Sequence, residues 1–412
     1  MMCRHCRAEL TLPFVDLGSA PPSNAFLTRE KLTEPEKWYP LRVMVCTECW
    51  LAQTEDYAGR EELFDENYAY FSSYSTTWLR HAEDYVSAMV SRFDLGKGSR
   101  VAEVAANDGY LLQYLKARGI PCYGIEPTAS TAAAAREKGI AVIEDFFSVR
   151  LAGQLLADGK QADLIIANNV LAHVPDINDF VKGFTLLLAL DGIATFEFPH
   201  LMQLVAKTQF DTVYHEHYSY LSLTAVEKIF SSNGLTIFDV EELPTHGGSL
   251  RVYAHRSDTG RHAPTVRLAQ LLKKEASAGV TGADFYRGFQ AEADRVKNDL
   301  LHFLLVAWRS KRRVAAYGAA AKGNTLLNYA GVRPDLLAYV VDKNPAKQGK
   351  FLPGSRIPVV SEDRLTLDRP EIIFILPWNI REEITAQLEY VHEWGGTFIT
   401  AVPKLSTTGI CK

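Results

Sequence analysis

The sequence predicts an α/β protein of three units: a small N-terminal module followed by two doubly wound, Rossmann-like sheets. Two observations lead to this prediction. Two close pairs of cysteines, CRHC and CTEC, lie near the start of the chain. After them, two separate series of short apolar runs alternate with helical patterns, which is typical of parallel sheets covered by helices. The expected boundaries are residues 1–75, 76–255 and 256–412.

Composition narrows the class of protein. The chain has 412 residues, 47% of them hydrophobic, which is enough for several buried cores. The net charge of -5 argues against nucleic acid and anionic membranes as partners, because both attract a basic face. No apolar run approaches the roughly 18 residues that span a bilayer, and MMCRHCRAEL is not a signal peptide. We therefore expect a cytoplasmic protein, and nothing in the sequence demands more than a monomer.

The cysteine pairs predict a structural metal site. Cys3 and Cys6 form one C-x-x-C knuckle, and Cys46 and Cys49 form a second. Zinc takes four such thiolates tetrahedrally, which leaves no open position for catalysis. Redox-active thiols and chance spacing are the alternatives. We expect structural zinc that contributes folding free energy to this module.

An aromatic and hydroxyl-rich stretch, YAYFSSYS at residues 68–75, ends the first unit. Rings that pack on sugar faces and hydroxyls that bind sugar edges would suit recognition of a polyol. Tyr70 and Ser73 are the candidate substrate contacts. Ordinary packing at a seam between two units explains the same residues equally well.

The second unit carries the pattern of a nucleoside site. Its first strand, near residues 99–105, leads into a turn that contains Asn107 and Gly109, and its second strand ends at Glu126. Ligands of such sheets bind beyond the carboxyl ends of the strands, and an acid at the second strand end can accept hydrogen bonds from both ribose hydroxyls.

The turn favours a nucleoside that carries no phosphates. A dinucleotide needs the G-x-G-x-x-G turn for close approach of the backbone, whereas this turn has only one glycine. S-adenosyl-L-methionine fits, with its ribose at Glu126, its adenine at Asp145 and Phe146, and its amino acid end at the first turn. The expected cofactor contacts are Glu103, Ala105, Asn107, Gly109, Glu126, Asp145, Phe146 and Asn168.

The heptapeptide YHEHYSY, residues 214–220, concentrates proton-transfer groups after an apolar strand. A neighbouring phenol or carboxylate can bring the pKa of a histidine to the value that a general base requires. A single histidine is more often a core residue or a helix cap, but the whole cluster favours a site. His173 follows the fourth strand at the mouth of the same cleft, where a site residue and a helix cap are equally expected.

The third unit begins with one or two long helices between residues 267 and 313. A strand then leads to the turn AAAKGNT at residues 319–325, where Asn324 replaces the lysine of a phosphate-binding loop. Small residues before a helix, with Lys322 nearby, would still suit a diphosphate. Asp342 ends the next strand and repeats the acid at a strand end. A fold kept only for assembly is the alternative to a nucleotide-sugar site.

Taken together, the motifs resemble the sugar C-methyltransferases of deoxysugar biosynthesis. The similarity covers essentially the whole chain, through CRHC and CTEC, YAYFSSYS, VAEVAANDGYLL, GIEP, NNVLAHV, YHEHYSYLS, HGGSLRVYAHR and AAYGAAAKGNTLLNY. The resemblance implies a four-cysteine zinc module, a class I methyltransferase domain and a Rossmann-like C-terminal domain. The chain is especially similar to enzymes that methylate C-3' of dTDP-linked 4-keto-deoxysugars.

The resemblance also implies the catalytic residues. His217 would be the base that removes the C-3' proton, with Glu216 orienting its ring and Tyr214 or His173 donating to the developing oxyanion. His173 and Tyr68 would complete the pocket. The glycine-poor turn departs from methyltransferases at large. Two other classes of protein are alternatives: a nicotinamide-dependent oxidoreductase of nucleotide sugars, and a non-enzymatic zinc scaffold that binds a nucleotide.

Overall fold

The computed structural model describes residues 1–55, 57, 59 and 71–408. Its N-terminal module is an antiparallel sheet of β1 (Leu12–Ala20), β2 (Tyr39–Val45) and β3 (Ala52–Thr54). The fourth strand of this sheet, β9 (Ser219–Tyr220), comes from the end of the YHEHYSY segment and pairs with β3. The predicted catalytic segment is therefore bound directly to the N-terminal module.

The central sheet has seven strands in the order β10-β11-β8-β7-β4-β5-β6. The strands β4 to β8 are parallel, and β8, β11 and β10 pair antiparallel at one edge. Their bounds are β4 Val101–Val104, β5 Cys122–Ile125, β6 Ala141–Ile143, β7 Ala162–Asn168, β8 Leu188–Pro199, β10 Leu235–Leu243 and β11 Ser249–Arg256. This is the predicted doubly wound, Rossmann-like sheet.

Helices cover both faces of the central sheet. The first helix begins where the Ser75 hydroxyl accepts a hydrogen bond from the backbone N–H of Trp78, and it buries Tyr85, Val86 and Met89 against the sheet. A side-chain cap of this kind satisfies one of the free N–H groups of the first turn. The helices are α1 Thr76–Phe93, α2 Leu112–Ala117, α3 Ala129–Glu137, α4 Val149–Ala157, α5 Ile177–Leu187, α6 Leu201–Ala206 and α7 Leu223–Ser232.

The C-terminal sheet has six strands in the order β14-β13-β12-β15-β16-β17, of which the first five are parallel. The bounds are β12 Val314–Tyr317, β13 Val340–Val341, β14 Val359–Val360, β15 Ile372–Ile375, β16 Thr397–Thr400 and β17 Ser406–Thr408. The remaining helices are α8 Val266–Ala278, α9 Phe289–Arg309, α10 Ala321–Tyr329, α11 Asp363–Asp368 and α12 Arg381–Gln387.

The three units share their cores. Helix α8, expected with the third unit, packs on β10 of the central sheet, whereas α9 packs on β1. Phe14 of β1, Phe210 of the central unit and Phe374 of β15 belong to one continuous apolar cluster. Among the described residues, no helix is both long and apolar enough to cross a membrane.

Candidate active site

A cleft of about 330 Å³ lies where the carboxyl ends of the central strands face the C-terminal unit. It is lined by residues of all three units, which is why no single sequence segment reveals its outline. The lining includes Asn24, Ser72, Trp78, Ala105, Asn107, Tyr110, Glu126, Asp145, Phe146, Asn168, Asn169, His173, Tyr214, His217, His246, Lys322 and Lys347.

The turn after β4 forms one wall of the cleft. Ala105 and Asn107 have positive φ angles of 57° and 50°, so the chain bends sharply without the glycines of a dinucleotide site. The Glu126 carboxylate at the end of β5 accepts hydrogen bonds from the backbone N–H groups of Asn107 and Thr128, at 2.9 and 3.0 Å. Burial raises the pKa of Glu126 above its ordinary value. The carboxylate therefore ties the turn to the second strand and still faces the cleft.

Six of the eight expected cofactor residues line the cleft, namely Ala105, Asn107, Glu126, Asp145, Phe146 and Asn168. The prediction differs from the structure for Glu103 and Gly109. Glu103 is buried within β4, and burial raises its pKa well above the ordinary value. Gly109 packs against Ala135 and Ile140, so its lack of a side chain serves close contact with helix α3 rather than with a ligand.

Unpartnered polar atoms identify the part of the cleft that suits a polar ligand. Asn168 Oδ1 and both polar side-chain atoms of Asn169 are buried at the end of β7 and have no hydrogen-bond partner among the described residues. Both residues line the cleft. Buried amides without partners are costly, so a bound polar molecule would stabilise them. The residues present therefore fit a nucleoside cofactor.

The two nitrogens of His217 have different partners. Nδ1 lies 2.9 Å from the carbonyl oxygen of Thr212, and Nε2 lies 2.7 Å from the hydroxyl of Tyr214. A carbonyl oxygen only accepts, so the neutral ring carries its proton on Nδ1, and the Tyr214 hydroxyl donates to Nε2. Burial, and next the charge of His173, lowers the pKa of His217 well below its ordinary value. At neutral pH the ring is an unprotonated base.

Two further histidines, His173 and His246, line the cleft with His217. The ring of His173 lies 4.6 Å from that of His217, and its Nδ1 lies 2.8 Å from the carbonyl oxygen of Glu216. His246 lines the cleft from the turn between β10 and β11 and lies 5.2 Å from the ring of Trp78. Burial lowers the pKa of both His173 and His246 to about 4. The three rings are therefore neutral together.

Glu216 has a different environment from the one expected. Its Oε1 accepts hydrogen bonds from the side-chain amide and the backbone N–H of Asn24, at 3.0 and 3.2 Å. Burial raises the pKa of Glu216. The side chain thus joins the catalytic segment to the N-terminal module, whereas the ring of His217 is oriented by Thr212 and Tyr214. Glu216 also contacts the ring of His173, but through its backbone carbonyl oxygen, which accepts a hydrogen bond from Nδ1 of that ring.

The expected contacts from residues 68–75 are only partly visible. Tyr68 and Tyr70 lie outside the described residues. Ser73 does not line the cleft; its hydroxyl accepts a hydrogen bond from Lys138 Nζ at 2.8 Å, and its backbone N–H donates to Asp108 at 3.3 Å. The neighbouring Ser72 lines the cleft instead and donates from its backbone N–H to Asn107 at 2.9 Å.

Of the expected contacts in the C-terminal unit, Lys322 alone lines the cleft. The buried Asn324 donates to the carbonyl oxygen of Ser23, at 3.3 Å, because helix α10 packs on the N-terminal module. Asp342 accepts hydrogen bonds from the backbone N–H groups of Ala319 and Asn344, at 2.7 and 2.8 Å. Its carboxylate shapes the turn and does not line the cleft, whereas that of Glu126 in the central unit does both.

The four cysteines of the N-terminal module meet as predicted. The Sγ atoms of Cys3, Cys6, Cys46 and Cys49 all lie within 4.8 Å of one another. Two of the separations are 3.5 Å, between Cys3 and Cys49, and 3.4 Å, between Cys6 and Cys46. Four thiolates at this spacing fit one tetrahedral zinc ion, whose bonds to sulfur are about 2.3 Å long. The ion would be structural, since four thiolate ligands leave no coordination position open for a substrate.

Sequence reasoning missed Asn24, Trp78, His246 and Lys347, which also line the cleft. Trp78 lies in the first turn of α1, and His246 lies in the turn between β10 and β11. The HGGS motif was a signal for His246, because two glycines after a histidine let the turn approach its neighbours closely. Asn24 and Lys347 reach the cleft from distant units, and no local pattern marks them.

Comparison with known protein families gives three matches in chain order. A zinc binding domain matches residues 3–64, a methyltransferase domain matches residues 78–240, and a C-methyltransferase C-terminal domain matches residues 244–403. The C-methyltransferase NovU of Streptomyces niveus is 32% identical over 402 residues, which are 98% of this chain and 95% of NovU.

Solved structures resemble a part of the chain. Magnesium protoporphyrin IX methyltransferase (ChlM) from Synechocystis PCC 6803, with bound S-adenosylmethionine, has 19% identity and a TM-score of 0.34, over 43% of this chain and 79% of that enzyme. The PH0226 protein from Pyrococcus horikoshii OT3 has 15% identity and a TM-score of 0.37, over 47% of this chain and 99% of that protein.

The near full-length match to NovU and the three domains in order exclude the oxidoreductase and scaffold alternatives. S-adenosyl-L-methionine and structural zinc are the cofactors, and the residues of the cleft and the cysteine cluster fit them. The chain belongs to the C-methyltransferase family.

Proposed function

We propose that this C-methyltransferase adds a methyl group to C-3' of a nucleotide-linked 4-keto-deoxysugar, with dTDP as the expected nucleotide, and that His217 is the base. The observation that carries the proposal is the hydrogen bonding of His217. Its Nδ1 is held by the carbonyl of Thr212, so that Nε2 is unprotonated and its lone pair accepts from the Tyr214 hydroxyl, which lines the cleft with it. A neutral imidazole in this state is suited to remove a proton from a carbon acid.

The cofactor would occupy the part of the cleft formed by β4, β5 and β7. Glu126 would accept from its ribose hydroxyls, Asp145 and Phe146 would contact its adenine, and the turn at Ala105 and Asn107 would face its amino acid end. The unpartnered amides of Asn168 and Asn169 would gain hydrogen bonds. When bound, S-adenosyl-L-methionine supplies an electrophilic methyl group.

The substrate would occupy the part of the cleft between the histidines and the C-terminal unit. A ketone acidifies the hydrogens on the adjacent carbon, and the remaining barrier falls when the protein stabilises the enolate. The Tyr214 hydroxyl would turn from His217 Nε2 to the developing oxyanion, which frees the Nε2 lone pair to accept the proton from C-3'. The neutral His173 cannot donate to the oxyanion, because its proton lies on Nδ1, at the carbonyl of Glu216, and its Nε2 is unprotonated. Because the ring of His217 is wedged between Thr212, Tyr214 and His173, it loses little freedom when the substrate binds.

The C-terminal unit supports an anionic, nucleotide-linked substrate. Lys322 and Lys347 both line the cleft, and they add positive charge to a chain whose net charge is -5. A nucleoside diphosphate extends beyond its sugar and can reach from the histidines to this wall. Local positive charge favours the diphosphate because cleft walls of low dielectric strengthen the attraction.

The substrate assignment is tested with a panel of dTDP-4-keto-deoxysugars and their GDP counterparts, incubated with S-adenosyl-L-methionine and analysed by mass spectrometry. We expect a gain of one methylene mass on a dTDP-linked ketosugar, and NMR of the product should place the methyl group on C-3'. Methylation at oxygen or nitrogen, or no product from any 4-keto sugar in the panel, would refute the proposal.

A further inference from the structure

Helix α10 of the C-terminal unit brings a cation into the methyl-transfer cleft. Lys322, the second residue of this helix, lines the same cleft as Tyr214, His217 and His246. Its Nζ donates a hydrogen bond to the side-chain carbonyl of Asn379, at 2.7 Å, and lies 5.0 Å from the ring centroid of Trp378. Both partners are uncharged and orient the ammonium group. Burial lowers the pKa of Lys322, and the charge of the Asp211 carboxylate acts in the opposite direction and favours the ammonium form.

The position of Lys322 is linked to that of His217 by a short series of contacts. The indole N–H of Trp378 donates to the buried Asp211 carboxylate at 2.7 Å. Asp211 precedes Thr212, whose carbonyl holds His217 Nδ1. On the same helix as Lys322, the Thr325 hydroxyl donates to the carbonyl of Val213 at 2.9 Å. Helix α10 is thus fastened to the turn that also orients the base.

Lys347, the second lysine that the C-terminal unit contributes to the cleft, has different partners from Lys322. Lys347 Nζ donates to the carbonyl oxygen of Ala319 at 2.9 Å and lies 3.7 Å from the Asp342 carboxylate. Its charge is therefore partly balanced before any ligand binds. The charge of Lys322 acts instead on the catalytic histidines, since it contributes to the low pKa of both His217 and His246.

We propose that Lys322 is a catalytic residue that stabilises the negative charge on the substrate's keto oxygen during proton abstraction, while Asn379 and Trp378 position it. The inference rests on the proposed function and deepens it. The diphosphate contact expected of Lys322 then falls to Lys347. A preorganised cation in a water-poor cleft is most valuable where charge develops only in the transition state.

The proposed step balances as follows. Once the Tyr214 hydroxyl has turned away from His217 Nε2, the C-3'–H bond breaks and its proton goes to that nitrogen. The electron pair moves through the C–C bond to the keto oxygen, where Lys322 faces it. Lys322 keeps its three protons throughout. When the new bond to the donated methyl group forms, the charge leaves the keto oxygen, and the electron pair of the broken S–CH₃ bond stays on sulfur.

The test compares Lys322→Gln, Lys322→Arg and the exposed control Lys343→Gln in the full-length protein. Three quantities are measured: kcat for methyl transfer, the rate of C-3' exchange with deuterium oxide in the presence of S-adenosylhomocysteine, and the Kd for dTDP. Lys322→Gln should lower kcat and the exchange rate by about 100-fold or more, as the loss of one oxyanion donor does, with little change in Kd. Lys322→Arg should recover part of the activity, and Lys343→Gln should behave as wild type.

A Lys322→Gln enzyme with normal kcat and weakened dTDP binding would overturn the proposal and make Lys322 a diphosphate anchor. If Lys322→Gln fails to bind S-adenosylhomocysteine, Asn379→Ala is the deciding variant. It removes the hydrogen-bond partner that orients the ammonium group but keeps the ammonium group itself. In this variant kcat must fall while dTDP binding persists. A wild-type protein that neither exchanges nor methylates any ketosugar would refute both the proposed function and this role; an active wild type with an equally active Lys322→Gln refutes this role alone.

Discussion

At the scale of single residues, the site is built from neutral histidines held by backbone carbonyls. His217 and His173 each direct Nδ1 to a carbonyl oxygen, of Thr212 and Glu216 respectively. A carbonyl selects the tautomer that leaves Nε2 unprotonated. A carboxylate in its place would favour the imidazolium form and raise the pKa. The uncharged partners therefore preserve basicity at Nε2 in the resting protein.

The first prediction concerns the base. His217→Asn keeps a polar side chain of smaller volume but has no group that accepts a proton near neutral pH. We expect methyl transfer to fall by about 10²–10⁴-fold, the usual contribution of a general base, and C-3' deuterium exchange to fall with it. Isothermal titration should show unchanged binding of S-adenosylhomocysteine and dTDP. Near-wild-type exchange in this variant would assign the base to another residue.

The second prediction concerns pH. An imidazole with a folded pKa near 4 and an unfolded pKa near 6.5 is protonated first in the unfolded state, so stability falls as the pH falls from about 6.5 to 4. Buried acids such as Asp211, whose pKa burial raises to about 6, act in the opposite direction. The histidine contribution is therefore measured as a difference between two proteins.

His246→Asn removes one such imidazole. Its melting temperature should rise relative to that of wild type as the pH is lowered from 6.5 to 4, and the difference should level off below pH 4. Thermal unfolding followed by circular dichroism at several pH values measures this. A difference that is constant across the window would mean that His246 has the same pKa in the folded and the unfolded protein.

At the scale of elements, the pairing of β3 with β9 links zinc to the catalytic segment. Strand β3 begins three residues after Cys49, and its Thr54 donates from Oγ1 to the carbonyl of His217 and from its backbone N–H to that of Tyr218, both at 3.1 Å. Arg4, next to Cys3, donates to the carbonyl oxygens of Thr54 and Pro175, both at 2.9 Å. The metal module thus holds the segment that carries His217.

The third prediction follows from this pairing. Cys46→Ser should lose zinc, lower the melting temperature and accelerate hydrogen exchange of the Thr54 amide, because zinc-binding free energies of small modules are about 10–16 kcal/mol. Elemental analysis and hydrogen exchange with mass spectrometry measure this. Cys122→Ser, which changes a cysteine far from the cluster in sequence, is the control and should retain zinc. A stable, zinc-free Cys46→Ser protein with a protected Thr54 amide would contradict the structural role.

At the scale of the whole molecule, the central and C-terminal units approach closely at a glycine. Gly247 follows His246 with a positive φ of 88°, and a Cβ atom there would collide with the Trp378 ring. Within the C-terminal unit, Gly318 has no room for a side chain against Pro377. The central and C-terminal units therefore face each other at short range, and residues of both units line the same cleft.

The fourth prediction is that Gly247→Ala disturbs this closure. The methyl group would displace Trp378 and with it Lys322, so kcat should fall and the melting temperature should drop. The control is Gly331→Ala, which has a similar positive φ of 66° and open space around it. It should cost only the backbone strain of about 1–2 kcal/mol and leave kcat unchanged. Equal effects of the two substitutions on kcat would show that contact with Trp378 is not needed.

Much of this architecture could be predicted from the sequence because it depends on local patterns. The alternation of apolar runs and helical periods predicts both parallel sheets, and the acids Glu126 and Asp342 stand at strand ends as expected. The roles of these acids were less predictable. Glu126 faces the cleft, whereas Asp342 holds the backbone of its own turn. A strand end fixes where an acid lies but not which neighbour it binds.

The sequence by itself determined the order of the units, the cysteine cluster and the segment that carries His217, because each depends on residue types at short spacing. Only the tertiary structure decided that Asn24, His246, Lys322 and Lys347 meet in one cleft, and that Glu216 binds Asn24 rather than the base. These contacts join residues that lie far apart in the chain. Packing of three units against one another creates them, and no local pattern specifies which side chains such packing brings together.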